Sequence, residues 1–582
     1  MAEWKHAFDA RDDLQQYTDN AIGLFAMAMR FGIEDIETVA ADSITDGNDD
    51  KKCDIVYVNK DEQLAVIAQC YVSKKQKKEA PANKASDLNT GVSWLIQRPI
   101  DELPERIKYA AQELREGIQN KEILDIYVWY IHNLPESKNV ENEMVTVQST
   151  AVSAINSHFP GLKIAIHSYE VGENRLESWY KESQSPILVN DSFDLECDSG
   201  YCISGPSWKS YATAISARFL YRAYKKFKTD LFSANIRDYL GSRSSDSNIN
   251  NAIKNTIEND TSNFWVFNNG LTILVHSFTP PENDNKKLTI KGLSIVNGAQ
   301  TTGAIGSLSR LPPKSGKVNV RFVQASPDDQ EIVHKIIQFN NSQNKVEASD
   351  FRSTDKIQKR LQEQMAKIPD CEYEGGRRGG AVDAIRRRPN LLPSYTVGQA
   401  LACFHGDPII AYNQKRNIWV SDRLYSKYFG EETRAAHIVC AYSLLRAVEE
   451  KKKSLVDKSK KSSSSLSNIE EGQLDFFRKR GSTYLLTAAI AGCLETFLDR
   501  KVPNLFRISF GLKSPTESRA LWLKILDVTT PFCNHLEPAL TGGLKNTQNV
   551  HTAIQTFRSL VQATVDGNKT IYENFKSKIT AP

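Results

Sequence analysis

The chain has 582 residues, 74 Lys and Arg against 70 Asp and Glu, and a formal net charge of +4. With 40% hydrophobic and 25% charged residues, it falls outside the disordered and fibrous classes. Its balanced charge excludes a nucleic-acid binder that works through its overall field, so any basic surface must be local. At roughly 100–200 residues per domain, the length allows about three to five domains. The nine cysteines form no CxxC pair. That excludes a zinc cluster of that kind and points to free thiols in a reducing compartment, although Cys197 and Cys202 are spaced closely enough for a redox pair. Met1 to Asn20 is polar and lacks the apolar core of a secretory signal. The most apolar helix expected, Tyr484 to Leu494, is stopped by Glu495 and falls short of the ~18–20 residues of a membrane span. The expectation is a cytoplasmic protein with no membrane association.

In chain order, apolar periodicity predicts a helix over 7–30 and an acidic turn at Thr45 to Asp50. A hairpin follows, with strands Cys53 to Val58 and Leu64 to Val72 joined by Asn59-Lys60-Asp61-Glu62. A basic loop, Lys74 to Lys78, leads to helices over 83–97 and 103–119. Then come a strand 123–131, a helix 143–157, a strand 163–168 and a helix 173–183. This alternation predicts an α/β domain over 1–185. An α+β domain is expected over 186–390. It holds a strand 201–205, a long helix 206–228, strands 264–267, 271–276, 287–290, 293–296 and 318–324, and a helix 328–340. From 391 to 582 the chain reads as mostly helical, with Lys451 to Ser467 as a low-complexity solvated linker.

The hairpin carries the pattern of a metal site. Nucleases that use Mg²⁺ need two or three oxygen ligands, and a nearby lysine to stabilise charge on the phosphate. In the PD-(D/E)xK class an Asp opens one strand, and a Glu or Gln lies ten to twenty residues on, with a Lys two positions beyond it on the same face. Here Asp54 opens the first strand and Gln69 lies fifteen residues later. Tyr71 occupies the lysine position. The expected replacement is Lys84, which opens the next helix, with Lys74 or Lys75 as second choice. Asp54 and Gln69 are thus the expected ligands of Mg²⁺ or Mn²⁺, and Asp54, Gln69 and Lys84 the expected catalytic set. Glu34, Glu37 and Asp46 are candidate extra ligands. The plainer reading makes Asp54 a turn residue, Gln69 a core amide and Lys84 a surface charge.

The middle of the chain carries ordered motifs: Asn235 to Gly241, Phe264-Trp265-Val266-Phe267-Asn268-Asn269-Gly270, Asn297-Gly298-Ala299-Gln300-Thr301-Thr302, Val320 to Val323, Asn340 to Val346, Asp350 to Ser353 and Tyr373 to Gly379. This succession resembles the AIPR family, the abortive infection phage resistance proteins of bacteria, over roughly 186–400. The resemblance implies phage defence and a restriction-endonuclease-like N-terminal domain, usually with a QxK hairpin. The departure at Tyr71 bears on whether the site cuts. The run from Asn297 to Thr302 also resembles the strand-turn-helix of ParB/sulfiredoxin-like domains, which bind nucleotides or DNA ends.

Physically, Gly298 permits a tight turn. Asn297, Gln300, Thr301, Thr302 and free backbone N–H groups at a helix start make a phosphate cradle. The plainer reading is an amide network of Asn297, Gln300, Asn340, Asn341 and Asn344 that fixes the fold. Three basic clusters could track phosphates: Lys74 to Lys78, Arg222 to Lys228, and Arg377, Arg378 and Arg386 to Arg388. The planar guanidiniums of Arg377 and Arg378, flanked by glycines, suit phosphate capture best. The expected partner is nucleic acid, DNA ahead of RNA, or a nucleotide. The helical tail would serve regulation or homo-oligomerisation. The alternative to a nuclease is a sensor that has lost its lysine and binds without cutting.

Overall fold

The computed structural model describes every residue apart from 1, 34, 46, 48, 76, 185–186, 198, 233–246, 282–285, 327–329, 342–351, 353–354, 376–387, 462–465 and 581–582. Two sheets and a helical mass make a multidomain α/β and α+β architecture.

The first sheet has four strands: β1 (Ile55–Asn59), β2 (Leu64–Tyr71), β3 (Asp125–His132) and β4 (Ala165–Val171), in the order β1-β2-β3-β4. β1 and β2 form the antiparallel hairpin, and β2, β3 and β4 run parallel. Helices between the parallel strands cover one face, so successive side chains of each strand enter different cores. Val66, Ala68 and Cys70 of β2, with Tyr127, Trp129 and Ile131 of β3, pack towards helix Asn20–Phe31. Ala65 and Ile67, with Ile126, Val128 and Tyr130, pack towards helices Ala82–Ile96, Glu105–Gln119 and Lys138–His158. Helix Asn20–Phe31 lies so close to the hairpin that a Cβ on Gly23 would meet Cys70 Sγ at 2.5 Å.

The second sheet is formed by β5 (Val189–Glu196), β6 (Gly200–Gly205), β7 (Trp208–Ser216), β8 (Leu271–Val275), β9 (Ser277–Thr279), β10 (Lys287–Asn297) and β11 (Lys317–Ala325). Its order is β5-β10-β8-β11-β7-β6, with β9 against β10. Only β8 and β11 pair in parallel among these contacts. From Ser394 onward the described chain is almost wholly helical around one large core.

Several expectations need correcting. The 7–30 helix is three helices, Glu3–Asp9, Asp12–Gln15 and Asn20–Phe31. Arg11 leaves the helical region to bind Asp13 with two hydrogen bonds, and Thr18 takes a positive φ. Of the expected 206–228 helix, Ala217–Phe227 is helical, but the part before it is β7, which pairs with β11 along its whole length and buries Tyr211, Thr213 and Ile215 at a period of two. Residues 264–267 form a helical turn instead of a strand. The strands expected at 287–290 and 293–296 are one strand, β10, kinked at Gly292 with φ +78. The expected linker from Lys451 is helical as far as Lys461, because Lys451, Lys452 and Lys458 pair with Asp527, Asp42 and Glu470. All nine cysteines are free, and Cys197 is buried while Cys202 is exposed.

The first unit and the closing helices meet through buried charge. Arg446 donates to Asp35 (2.5 Å), Glu449 (2.7 Å) and the Thr38 hydroxyl (2.9 Å). Burial would raise Asp35, but Arg446 and Thr396 outweigh it and hold that carboxyl below its ordinary value. Burial and the neighbouring Asp35 charge push Glu449 up to about 7, against the pull of Arg446. One guanidinium thus keeps one carboxylate ionised, while the second takes a proton near neutrality. Because the folded value exceeds the ordinary 4.5, the contribution of Glu449 is most favourable in acid. It is lost as pH rises from about 4.5 to about 7, by up to about 3 kcal/mol. Glu449→Gln should flatten that part of the stability profile, read by urea unfolding at about pH 5 and about pH 8. An unchanged slope would place the titration on another group.

Candidate functional site

The hairpin register brings the expected residues to one place. Ile55 pairs with Ala68, so Asp54 stands one step outside β1, opposite Gln69. Asp54 N–H donates to Ala68 O at 2.9 Å, and its Oδ2 accepts from Cys70 N–H at 2.6 Å. Gln69 is only 5% exposed, and its Oε1 has no hydrogen-bond partner. A buried amide oxygen without a partner costs free energy unless something completes it. Next to it across the parallel pair is Tyr130, whose buried hydroxyl is also without a partner. Sequence reasoning missed Tyr130, because an aromatic in an apolar strand reads as core.

Tyr71 follows Gln69 on the same face. Lys84 Nζ lies 5.1 Å from the centre of the Tyr71 ring, and Lys77 Nζ donates to the Tyr71 hydroxyl at 2.9 Å. The Lys77 hydrogen bond, helped by Ser73, holds the Tyr71 phenol below its ordinary value, with Lys84 adding to the pull. Lys84 does therefore turn back to the hairpin. The second lysine there is Lys77, where Lys74 or Lys75 had been expected. Two lysines thus gather at Tyr71, Lys77 on its hydroxyl and Lys84 at its ring.

On the next strands His132 is fully buried, and its Nε2 meets Glu170 Oε1 at 3.0 Å. Leu134 N–H donates to His132 Nδ1, which leaves the ring proton on Nε2 to donate to Glu170. Glu170 also accepts from Ser137 N–H. Gln69, Tyr71, Tyr130, His132 and Glu170 stand towards the carboxyl ends of β2, β3 and β4, where open parallel sheets place ligands.

Asp54 and Gln69 offer one carboxylate and one amide oxygen. Mg²⁺ suits such a sparse set, since it keeps several waters and takes one or two carboxylates plus phosphate oxygens. The unpartnered Gln69 Oε1 fits that role. Among the described residues, no group of three or more His, Cys, Asp or Glu could hold a metal. Glu37 lies on helix Ile36–Ser43, and Glu34 and Asp46 lie outside the described residues.

The central cluster is held differently. Gly298 precedes helix Ala299–Gly306 at φ +96, and that helix start has no side-chain cap. Asn297 Nδ2 donates to Asn340 O (3.0 Å), Asn268 Nδ2 donates to Thr301 Oγ1 (3.0 Å), and Arg321 donates to Thr272 Oγ1 (2.9 Å) and Asn340 Oδ1 (2.7 Å). Thr302 Oγ1 is buried without a partner. The polar network and the uncapped helix start therefore occur together. Gln300 has partners of its own. Beside Asn268, Trp265, Val266 and Phe267 are 49%, 71% and 67% exposed. Arg377 and Arg378 lie outside the described residues, as do Asn344 and the Asn235 to Gly241 motif. Arg388 pairs with Glu374 and Glu372. No described helix is long and apolar enough to cross a membrane.

Two substitutions test these placements. In metal-free buffer, Gln69→Leu should unfold no more easily than the wild type, because it removes a buried oxygen that costs about 1–3 kcal/mol when unpaired. A markedly lower melting temperature would make Gln69 a structural amide. Gly298→Ala should cost about 1–3 kcal/mol, since its Cβ would meet Leu271 Cγ at 2.6 Å and Gly270 O at 3.1 Å. Denaturant unfolding reads this, and wild-type stability would mean that the turn adapts.

No curated protein and no solved structure matches the chain. A family model described as AIPR protein matches residues 232–509, a range that runs past position 390 into the closing helices and leaves the β1–β4 sheet outside. The matched range includes both the Asn268 to Gly270 and the Asn297 to Thr302 clusters.

Proposed function

We propose that this is a bacterial anti-phage protein of the abortive-infection kind, whose first unit is a restriction-endonuclease-like, PD-(D/E)xK-type nuclease that needs Mg²⁺ or Mn²⁺. The AIPR match supports the defence role. The nuclease reading is carried by one observation: a buried, unpartnered Gln69 Oε1 opposite Asp54. Asp54 and Gln69 would hold the cation. When bound, it would neutralise charge on a phosphodiester and activate a water. Lys84 and Lys77, held on the ring and hydroxyl of Tyr71, would supply the positive charge that the strand itself lacks and stabilise the developing phosphate charge.

The central region would hold the nucleic acid, DNA ahead of RNA. Its uncapped helix start and Arg321 suit a phosphate, and exposed Trp265 and Phe267 suit stacking on unpaired bases. The cytoplasm is the proposed location. A second reading is favoured by Tyr71 at the lysine position: a sensor that binds nucleic acid or a nucleotide without cutting it.

Supercoiled plasmid, linear duplex DNA and single-stranded RNA separate the two readings, each with Mg²⁺, Mn²⁺ or EDTA. The nuclease cuts only with metal. It loses about a hundredfold or more in Asp54→Asn, and about tenfold to a hundredfold in Lys84→Ala. Salt-sensitive binding without cutting under any of these conditions would transfer the protein to the sensor reading.

A further inference from the structure

A cavity of about 760 Å³ opens where the first unit meets the closing helices. One wall comes from Tyr17, helix Ile36–Ser43 and helix Glu105–Gln119. The other comes from helices Ala435–Lys461, Asn468–Arg478 and Pro515–Thr529. The volume lies in the ~300–1,000 Å³ range of small-molecule sites.

Its lining holds seven Arg and Lys against five Asp and Glu, and five of the seven are guanidiniums: Arg106, Arg446, Arg478, Arg480 and Arg519. Guanidiniums in such number suit the planar, two-pronged recognition of phosphate. Arg446 and Arg480 are fixed by buried partners. Arg478 and Arg519 differ. Arg478 pairs with Asp475, itself 58% exposed and outside the lining, and Arg519 pairs with half-exposed Glu450. Exposed pairs of this kind contribute at most about 1 kcal/mol, so an entering anion can take over both guanidiniums at little cost. Beside them half-buried Val456 and the edge of Leu474 make a small apolar patch in the same wall, backed by fully buried Phe477. A bare phosphate would leave that patch and most of the volume unused.

We propose that this cavity binds a nucleotide-sized organic phosphate, with Arg478 and Arg519 on the phosphate and the apolar patch against the rest of the molecule. The proposal is independent of the nuclease reading. The ligand would touch both units at once, and it would stabilise their junction as any ligand of the folded state does.

The test uses the full chain in EDTA, so that no metal at the hairpin contributes. ADP, AMP and pyrophosphate are titrated by calorimetry and by thermal melting. The variants are Arg478→Ala/Arg519→Ala, both partly exposed, and Arg321→Ala in the central region as a control. The expected result is a raised melting temperature and measurable binding with ADP. Binding weakens by at least about tenfold in the double variant, the loss of one charge-assisted hydrogen bond, and is unchanged in Arg321→Ala. The proposal fails if no nucleotide binds at millimolar concentration. It also fails if binding survives the double variant or is lost only in Arg321→Ala. If pyrophosphate binds as tightly as ADP, the nucleotide-sized part of the proposal is overturned.

Discussion

A buried arginine anchors the junction between the first unit of this chain and its closing helices. Arg446 sits on the long helix Ala435–Lys461 and reaches Asp35, more than four hundred residues earlier. An isolated charge at such depth would cost several kcal/mol, so its partners are obligatory. Thr38, Thr396 and Glu449 complete the set. Nearby, Lys452 pairs with Asp42, while Tyr412 and Arg480 share Glu113. Polar junctions of this kind pay a desolvation cost that an apolar interface avoids. In return they fix one relative placement, because each charge is satisfied only there.

That placement reaches the hairpin. Arg480 Nη2 donates to Val56 O of β1, the strand that begins one residue after Asp54. The hairpin is pressed from its other face by helix Asn20–Phe31 at the close approach of Gly23. The end of β2 is thereby held rigid while Tyr71 remains accessible to Lys77 and Lys84. On the proposed nuclease reading, strands would carry the oxygen ligands and lysines would arrive from a loop and a helix start, which is the division a phosphate site needs. Ligand geometry would then come from the sheet, and charge from side chains long enough to adjust.

The hairpin was legible in the sequence because it is local. Alternation fixes which residues share a face, and a two-residue period cannot misplace Gln69 relative to Tyr71. Lys84 was legible for the same reason, as the first turn of the next helix. Tyr130, His132 and Glu170 were not, since their roles depend on which strand lies beside β2, a long-range fact. The errors share a cause. Residues 208–216 carry small and polar residues that fit either period, and only pairing with β11 decides for a strand. Residues 264–267 have strand-like composition, but three of the four side chains face outward, so no sheet needed them. The Lys451 run looked like linker because Lys451, Lys452 and Lys458 find their partners on other helices. The interdomain cavity was invisible for the same reason: its arginines are scattered from 106 to 519.

Arg480 belongs both to the lining of that cavity and to the support of β1. A group that enters the cavity and draws on Arg480 would compete with Val56 O and Glu113 for the same guanidinium, whose donors are fixed in number. A group that leaves Arg480 in place would leave that support of β1 unchanged. In the first case occupancy of the cavity and the geometry of the Asp54 strand would be coupled through one side chain, and such coupling is reciprocal. Its size is set by how differently Arg480 is satisfied in the two states, not by the distance between the sites.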